Sequence, residues 1–322
     1  MKAELADLLV CPKCGSALTL TSLKEVRDEI ETGVLRCGHG CGSYPITRFV
    51  PRFVDADRYA GSFSIQRRYV RRRFDHYRRD TSGDRLFLPT TGFEAAALKQ
   101  GLTLEAGCGY GRFVDVVQRL GGTIIGIDLS TDSIDLAWDF VGRQPRVHLV
   151  QCDLFELPFR QETFDHIFSI GVLHHTPDTR QAFASIVPYL RPSGRIAIWT
   201  YHPRNKVSAN RWRILTTRLP VWLLYGFCVA NQALFSWIRV LPGGHRFNAI
   251  VPGASPSSQS PFWMRVMADF DSLSPRYAHV HTPEEVAQWY LAEGVDEVRV
   301  LQRDTAVVGR KRCGTGPPSR SG

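Results

Sequence analysis

From Leu102 to Thr200 the chain alternates between short apolar runs, many of them β-branched, and stretches whose apolar positions recur every three or four residues. The runs "LTLEAG" (102–107), "TIIGIDL" (123–129), "VHLVQCD" (147–153), "DHIFSIG" (165–171) and "GRIAIWT" (194–200) have the length of strands and helical patterns between them. A parallel strand pair needs a crossover, so this alternation predicts a parallel sheet with helices on both faces. The pattern breaks between His202 and about Pro275 and resumes with "TPEEVAQWYLAEG" (282–294). There Thr282 offers a cap, Pro283 takes the first helical position, and Glu284 and Glu285 suit the positive end of the helix. Two further strands follow, "VDEVRVL" (295–301) and "TAVVGRK" (305–311). The prediction is an α/β fold: a doubly wound, mostly parallel seven-stranded sheet with an insertion before its last helix.

The pattern also divides the chain. Residues 1–55 read as a small turn-rich domain and 56–100 as a basic linker helix region, in which Val70, Phe74 and Tyr77 share one helical stripe. The core takes 101–202 and 276–312, the insertion 203–275, and the tail 313–322 reads as disordered. Within the insertion, Val221 to Ile238 carries no charge over 18 residues, the lower limit for a membrane span. Asn231, Gln232 and Ser236 lie in it, and strands of one sheet lie on both sides of it, so no transmembrane span is expected. It reads as a lid helix over an apolar acceptor, with a plain packing helix as the alternative.

Composition narrows the picture. With 43% apolar residues in 322 the chain supports a packed core, and a net charge of +9 favours anionic company such as phosphate, nucleic acid or lipid headgroups. The first residues, "MKAELADLLVCPKCG", contain no secretory apolar region, which points to the cytoplasm. Four cysteines fall in two close pairs, while Cys108, Cys152, Cys228 and Cys313 stand singly, a distribution of metal ligands plus free thiols.

Candidate chemistry centres on "LEAGCGYGRF" (104–113). Open parallel sheets bind ligands beyond the carboxyl ends of their strands, and Gly107, Gly109 and Gly111 let backbone approach a ligand there. Glycine spacing alone fits a dinucleotide equally well. Glu105 decides otherwise, since a carboxylate repels a diphosphate and attracts a cofactor carrying an ammonium and a sulfonium. Asp128, with Leu129 beside it, closes the next strand and is placed to accept from ribose hydroxyls. Asp153 closes the strand after that, within reach of an adenine amino group.

In that order, "LEAGCGYGRF", "GIDLS", "QCDLFELPF" and "FDHIFSIGVLHHTPD" resemble the successive motifs of class I S-adenosylmethionine-dependent methyltransferases, of the methyltransferase type 11 kind. The resemblance covers about residues 100 to 200. It implies S-adenosylmethionine as cofactor, with Glu105, Gly107 and Gly109 at the methionine part, Asp128 at the ribose, and Asp153 with the Leu154 backbone at the adenine. Ser169 would present backbone to the amino end. Methyl transfer from a sulfonium asks the protein mainly to align a nucleophile and exclude water. His174 and His175 follow the fourth strand and are the candidate bases for a hydroxyl acceptor, and which of the two acts stays open. Asp271, Tyr277 and His281 are secondary candidates over the acceptor.

"CPKCG" and "CGHGCG" supply Cys11, Cys14, Cys37 and Cys41, four thiolates suited to a closed, structural zinc site. Residues 1–55 resemble the zinc ribbon of the tRNA methyltransferase activator type. The wider spacing of the second pair lets His39 compete with Cys41 as fourth ligand. Chelation is expected to unfold the ribbon and spare the sheet. By resemblance to fused proteins of this kind, Gln66 and Arg67 would reach the methionine carboxylate.

The expected activity is methyl transfer to a small-molecule, glycan or lipid-type acceptor, and peripheral membrane contact stays open. RNA is the competing acceptor, since a ribbon and seven arginines from Arg67 to Arg79 can follow phosphates. It is not favoured: the fourth strand ends in "SIGVLHH" instead of the Asn/Asp-Pro-Pro-aromatic turn used on exocyclic amines, and no Pro-Cys nucleophile is present. An inactive cofactor-binding or protein-interaction module is the third reading.

Overall fold

Why the central strands are apolar almost throughout is seen in where consecutive side chains go. Ile125, Ile167 and Val307 join the core on one face of the sheet, while their neighbours Ile124, Phe168 and Val308 join the core on the other. A sheet covered on both faces needs apolar residues at both parities, which a half-exposed strand does not.

The computed structural model describes residues 1–54, 82–203, 207–238, 262–301 and 305–313, with 241, 243 and 251 singly. The N-terminal part holds a short helix α1 (Glu4–Leu8) and four strands, β1 (Leu18–Val26), β2 (Glu29–Cys37), β3 (Ser43–Thr47) and β4 (Val50–Pro51). These pair in sequence order as an antiparallel meander. The main sheet is built from β5 (Leu102–Ala106), β6 (Thr123–Asp128), β7 (Val147–Gln151), β8 (Phe164–Ile170), β9 (Leu190–Trp199), β10 (Val295–Val300) and β11 (Ala306–Lys311). Its order is β10-β11-β9-β8-β5-β6-β7, with β11 antiparallel to both neighbours and every other pairing parallel. Strand order reverses at β5, whose neighbours β6 and β8 lead away in opposite directions, and a crevice opens there.

Helices α2 (Ser82–Thr91), α3 (Ala95–Leu98), α4 (Arg112–Arg119), α5 (Thr131–Ala137) and α6 (Thr179–Ile186) belong to the core. Caps fix where two of them begin: Ser130 Oγ accepts from the Ser133 N–H at the start of α5, and Asp178 Oδ1 from the Gln181 N–H at the start of α6. The late helix α10 (Pro283–Ala292) is capped by Thr282, whose Oγ1 accepts from the Glu285 N–H, as its sequence predicts. The insertion contributes α7 (Val207–Thr216), α8 (Val221–Phe235) and α9 (Phe262–Leu273), packed around a small core of their own that includes Leu224, Cys228, Val266 and Phe270. The helix expected around Val70, Phe74 and Tyr77, along with Gln66 and Arg67, lies outside the described residues, as does the tail beyond Cys313.

The N-terminal domain is less separate than its sequence suggests. Met1, Leu5, Leu9, Ile30, Leu35 and Ile46 share one continuous apolar cluster with Leu104, Ile125 and Val150 of the main sheet. The Phe53 N–H donates to the Gln151 carbonyl at 2.8 Å, and Arg52 donates from Nη1 to Gln151 Oε1 at 2.7 Å and from Nη2 to Asp135 Oδ1 at 2.6 Å. Arg48 adds contacts to Asp135 at 2.9 Å and Asp139 at 2.8 Å. At the first residue of β7 and just before the strand, Lys2 Nζ donates to the carbonyls of Val147 and Gly142.

Candidate active site

A cavity of about 460 Å³ occupies the crevice beyond the carboxyl ends of the parallel strands. One wall comes from the turn between β5 and α4. Gly107 sits at φ +85°, and a Cβ there would collide with the Val172 side chain, so this position accepts only glycine. The Gly109 N–H donates to Asp128 Oδ2 at 2.8 Å and the Ser130 N–H to Asp128 Oδ1 at 2.8 Å. Two backbone donors thereby fix the plane of the Asp128 carboxylate, while each oxygen keeps acceptor capacity toward a ligand.

Glu105 lies on the same wall and is 3% exposed. Burial pushes its carboxyl well above the usual carboxylate range, Arg112 opposes this and Asp128 adds to it. Its Oε2 has no hydrogen-bond partner among the described residues. A buried acceptor left open in a wall shared with a second carboxylate fits a ligand that brings positive charge and N–H donors, as the ammonium of S-adenosylmethionine does.

The other wall is apolar and aromatic. Trp199 and Tyr201, two positions apart at the end of β9, face Met264, Met267, Ala268 and Asp271 of α9. Burial drives the Tyr201 phenol well above its ordinary value, so it stays a hydroxyl donor. His175 borders both walls. Its Nδ1 lies 2.8 Å from the Tyr277 carbonyl, which can only accept, so Nδ1 carries the proton in that contact.

The cavity thus brings together Glu105, Gly107, Gly109, Asp128, Leu129, Leu154, His175 and Asp271 from the residues singled out by sequence. Six others lie off its wall. Gly111, at φ +87°, forms the N-cap of α4 and faces Val141. Asp153 Oδ1 accepts from the Phe155 N–H at 3.1 Å. Ser169 Oγ donates to the Ala106 carbonyl at 2.8 Å, which ties β8 to β5. His174 is fully buried, its ring 4.2 Å from that of His175 and 3.8 Å from that of Tyr201. Tyr277 contributes its backbone, and His281 pairs with Glu285 at 2.9 Å beside a separate groove. The apolar helix expected as a lid, α8, does not border the cavity: α9 does, and α8 packs behind it through Asp269.

Sequence reasoning missed Tyr110, Arg112, Trp199, Tyr201 and, among the α9 residues, Met264, Met267 and Ala268. A signal for the last three existed: Met264, Met267, Ala268 and Asp271 fall at i, i+3, i+4 and i+7, one stripe of a helix.

At the other end of the protein the sulfurs of Cys11, Cys14, Cys37 and Cys41 all lie within 4.8 Å of one another. Among the described residues this is the one group of donors able to hold a metal ion, and His39 is not in it, its Nδ1 lying 3.1 Å from Ser16 Oγ. Crowding makes joint ionisation costly. The thiols of Cys14 and Cys37 push Cys41 up to about 12, while Ser16 draws Cys14 down to about 6. A soft dication at the centre of four such sulfurs removes the conflict.

A mostly parallel seven-stranded sheet, closed by an antiparallel pair and carrying an acid-lined crevice at its reversal point, has the architecture of the Rossmann-like methyltransferase fold. Residues 104–198 match the family described as "Methyltransferase domain", and the chain thus carries a class I S-adenosylmethionine-dependent methyltransferase domain. Methyltransferase GfsG of Streptomyces halstedii is 33% identical over 99 residues, 30% of this chain and 36% of that protein. The tRNA (carboxymethyluridine(34)-5-O)-methyltransferase alkbh8 of Xenopus tropicalis is 29% identical over 160 residues, 48% of this chain and 24% of that protein. The tRNA U34 carboxymethyltransferase of Cellvibrio japonicus is 27% identical over 207 residues, 61% of each. The chain therefore spans less than two thirds of each of these relatives.

Proposed function

We propose that this protein transfers a methyl group from S-adenosylmethionine to a small-molecule, glycan or lipid-type acceptor of apolar character. The observation that carries the reading is the division of one cavity into two chemically distinct walls. Glu105, Gly107, Gly109 and Asp128 form an acidic wall with open backbone, suited to a cation-bearing nucleoside. Trp199, Tyr201, Met264 and Met267 form a wall suited to apolar surface. Asp128 would hold the ribose hydroxyls and Glu105 the ammonium. When bound, the cofactor supplies a methyl group on a positively charged sulfur. The chain's own residues do the rest: the aromatic and methionine side chains exclude water and seat the acceptor, and Nε2 of His175 accepts a proton from an acceptor hydroxyl.

In this reading Cys11, Cys14, Cys37 and Cys41 hold a zinc ion with no open position, a structural role. RNA is the second reading, favoured by two of the relatives, whose names carry tRNA substrates. One experiment separates them: incubation of the purified protein with methyl-labelled cofactor and, in parallel, an apolar extract, a polar extract and total RNA. Label entering a metabolite or lipid fraction is expected. Label entering only RNA would replace the proposed acceptor class, and no label in any fraction would leave a cofactor-binding module.

A further inference from the structure

Helix α8 is built inside out. Its exposed positions are Trp222, Leu223, Gly226, Ala230, Ala233 and Leu234, none of them polar. With Trp237 just past the helix end, they fall within an arc of about 120° at 100° per residue. Its polar side chains point the other way. Asn231 and Gln232, buried, both donate to Asp269 Oδ2 of α9, at 2.7 and 2.8 Å, and Arg265 Nε donates to Gln232 Oε1 at 3.3 Å. A helix at a water-facing surface has the opposite arrangement. Exposure is large as well: 70% for Trp222, 61% for Trp237 and 60% for Leu234.

The neighbouring helix adds charge to the same kind of face. On α7 and the turn after it, Arg211, Ile214, Leu215 and Arg218 are exposed at i, i+3, i+4 and i+7, and α7 meets α8 through stacked Trp212 and Phe227 rings 5.5 Å apart. From Thr179 to Ala268 the sequence contains no Asp or Glu at all, while 203–268 contains eight Lys and Arg. On α7 and the turn after it the exposed charges are Arg211 and Arg218, both positive, so a second copy seated on this face would set like charges against each other. An anionic surface complements it, and exposed tryptophans flanked by arginines are the residues that settle at a lipid headgroup boundary. No described helix is long and apolar enough to cross a membrane. At 15 residues α8 is about 22 Å long, short of the roughly 30 Å hydrocarbon layer.

We infer that the outer face of α7 and α8 docks on an anionic phospholipid bilayer, with α8 in the plane of the interface and Trp222 and Trp237 among the headgroups. The inference stands on this face and does not depend on the acceptor. It has a consequence for the cavity all the same, because α9 packs against α8 on one side and supplies Met264, Met267 and Ala268 to the cavity on another.

The test is co-sedimentation of the full chain with vesicles of phosphatidylcholine alone and of phosphatidylcholine mixed with phosphatidylserine, at low and high salt. Binding to the mixed vesicles that falls as salt rises is expected, with a blue shift of tryptophan emission. Trp222→Ala/Trp237→Ala should weaken it at least about tenfold, and Arg211→Ser/Arg218→Ser should do so on the mixed vesicles. Both variants replace exposed side chains, so unchanged circular dichroism and cofactor affinity are expected and serve as the folding control. Absence of binding to either vesicle, equal binding to both, or variants that bind as the parent does would each overturn the inference. So would concentration-dependent dimerisation that Trp222→Ala abolishes, since the face would then belong to a second copy.

Discussion

His175 donates from Nδ1 to the Tyr277 carbonyl at 2.8 Å across 102 positions of sequence, which leaves Nε2 as the basic nitrogen of a ring on the cavity wall. If Nε2 takes the acceptor proton, His175→Ala should lower the rate of methyl transfer by roughly a hundredfold or more without changing cofactor affinity. The parent's rate should depend on pH through this ring, and the variant's residual rate should lose that dependence. Single-turnover rates across pH measure this. A variant with the parent's rate and pH profile would show that the base is elsewhere.

Glu105 should show opposite signs for stability and binding. Its folded pKa is raised above the ordinary 4.5, so the native state holds a proton that the unfolded state has lost. The stabilisation this brings is fully present below pH 4.5 and is lost as pH rises through the folded value. Glu105→Gln has no such dependence, so its advantage in Tm over the parent, without cofactor, should widen with pH. A gain of about 1 kcal/mol corresponds to roughly 2–4 °C. The same variant should bind S-adenosylmethionine more weakly. Paired thermal melts and calorimetry check both halves, and tighter binding by the variant would remove Glu105 from the cofactor's cationic end.

Asp128→Ala removes an acceptor already aligned by the amides of Gly109 and Ser130. Loss of two hydroxyl partners should cost about 2–4 kcal/mol of cofactor binding. Isothermal titration gives the number directly. Unchanged affinity would mean that the ribose lies elsewhere.

For the N-terminal domain the structure changes the expected effect of chelation. A ribbon independent of the sheet would unfold by itself, but Leu5, Leu9 and Ile46 share a core with Leu104 and Ile125. Chelator, or Cys41→Ser, should therefore lower the main calorimetric transition too. Arg52→Ala should lower it by about 1–3 kcal/mol through the orphaned Gln151 and Asp135 contacts. A main transition that stays put under chelation would restore two independent units.

The same junction should loosen in acid. His148, on β7, is 5% exposed, and burial, reinforced by Lys2, lowers its pKa from 6.5 to about 4, although Glu4 lies 3.7 Å away. A depressed histidine is neutral in the native state, so its contribution is whole above pH 6.5 and is lost as pH falls through about 4. Urea midpoints between those limits should drop in the parent and flatten in His148→Leu. Parallel slopes would assign the acid sensitivity to other groups.

What was legible in the sequence was local. Alternating runs marked all seven strands of the sheet, and Gly107, Gly109 and Asp128 came from turns whose conformation their own residues dictate. Asp153 and Leu154, expected together at the adenine, also come from such a local stretch: the Asp153 carboxylate accepts from the Phe155 N–H, the short-range bond that aspartate forms readily, and Leu154 borders the cavity. The apolar wall was out of reach. Met264 and Met267 stand more than 130 positions from Asp128, and nothing near them indicates what their stripe will face. In α8 the apolar run forms a helix of 15 residues, but which side of it meets protein is decided by Asp269, which lies 37 positions beyond Gln232.

The backbone link between Phe53 and Gln151 has a meaning beyond attachment. β7 is the last strand on its side of the main sheet, and a terminal strand presents bare amide and carbonyl groups along its flank. Here that flank is occupied in part by residues that arrive from the N-terminal domain. Stripping residues 1–54 away would uncover that border together with the apolar side chains that Leu5, Leu9 and Ile46 now cover, and self-association through the bared flank is the expected result.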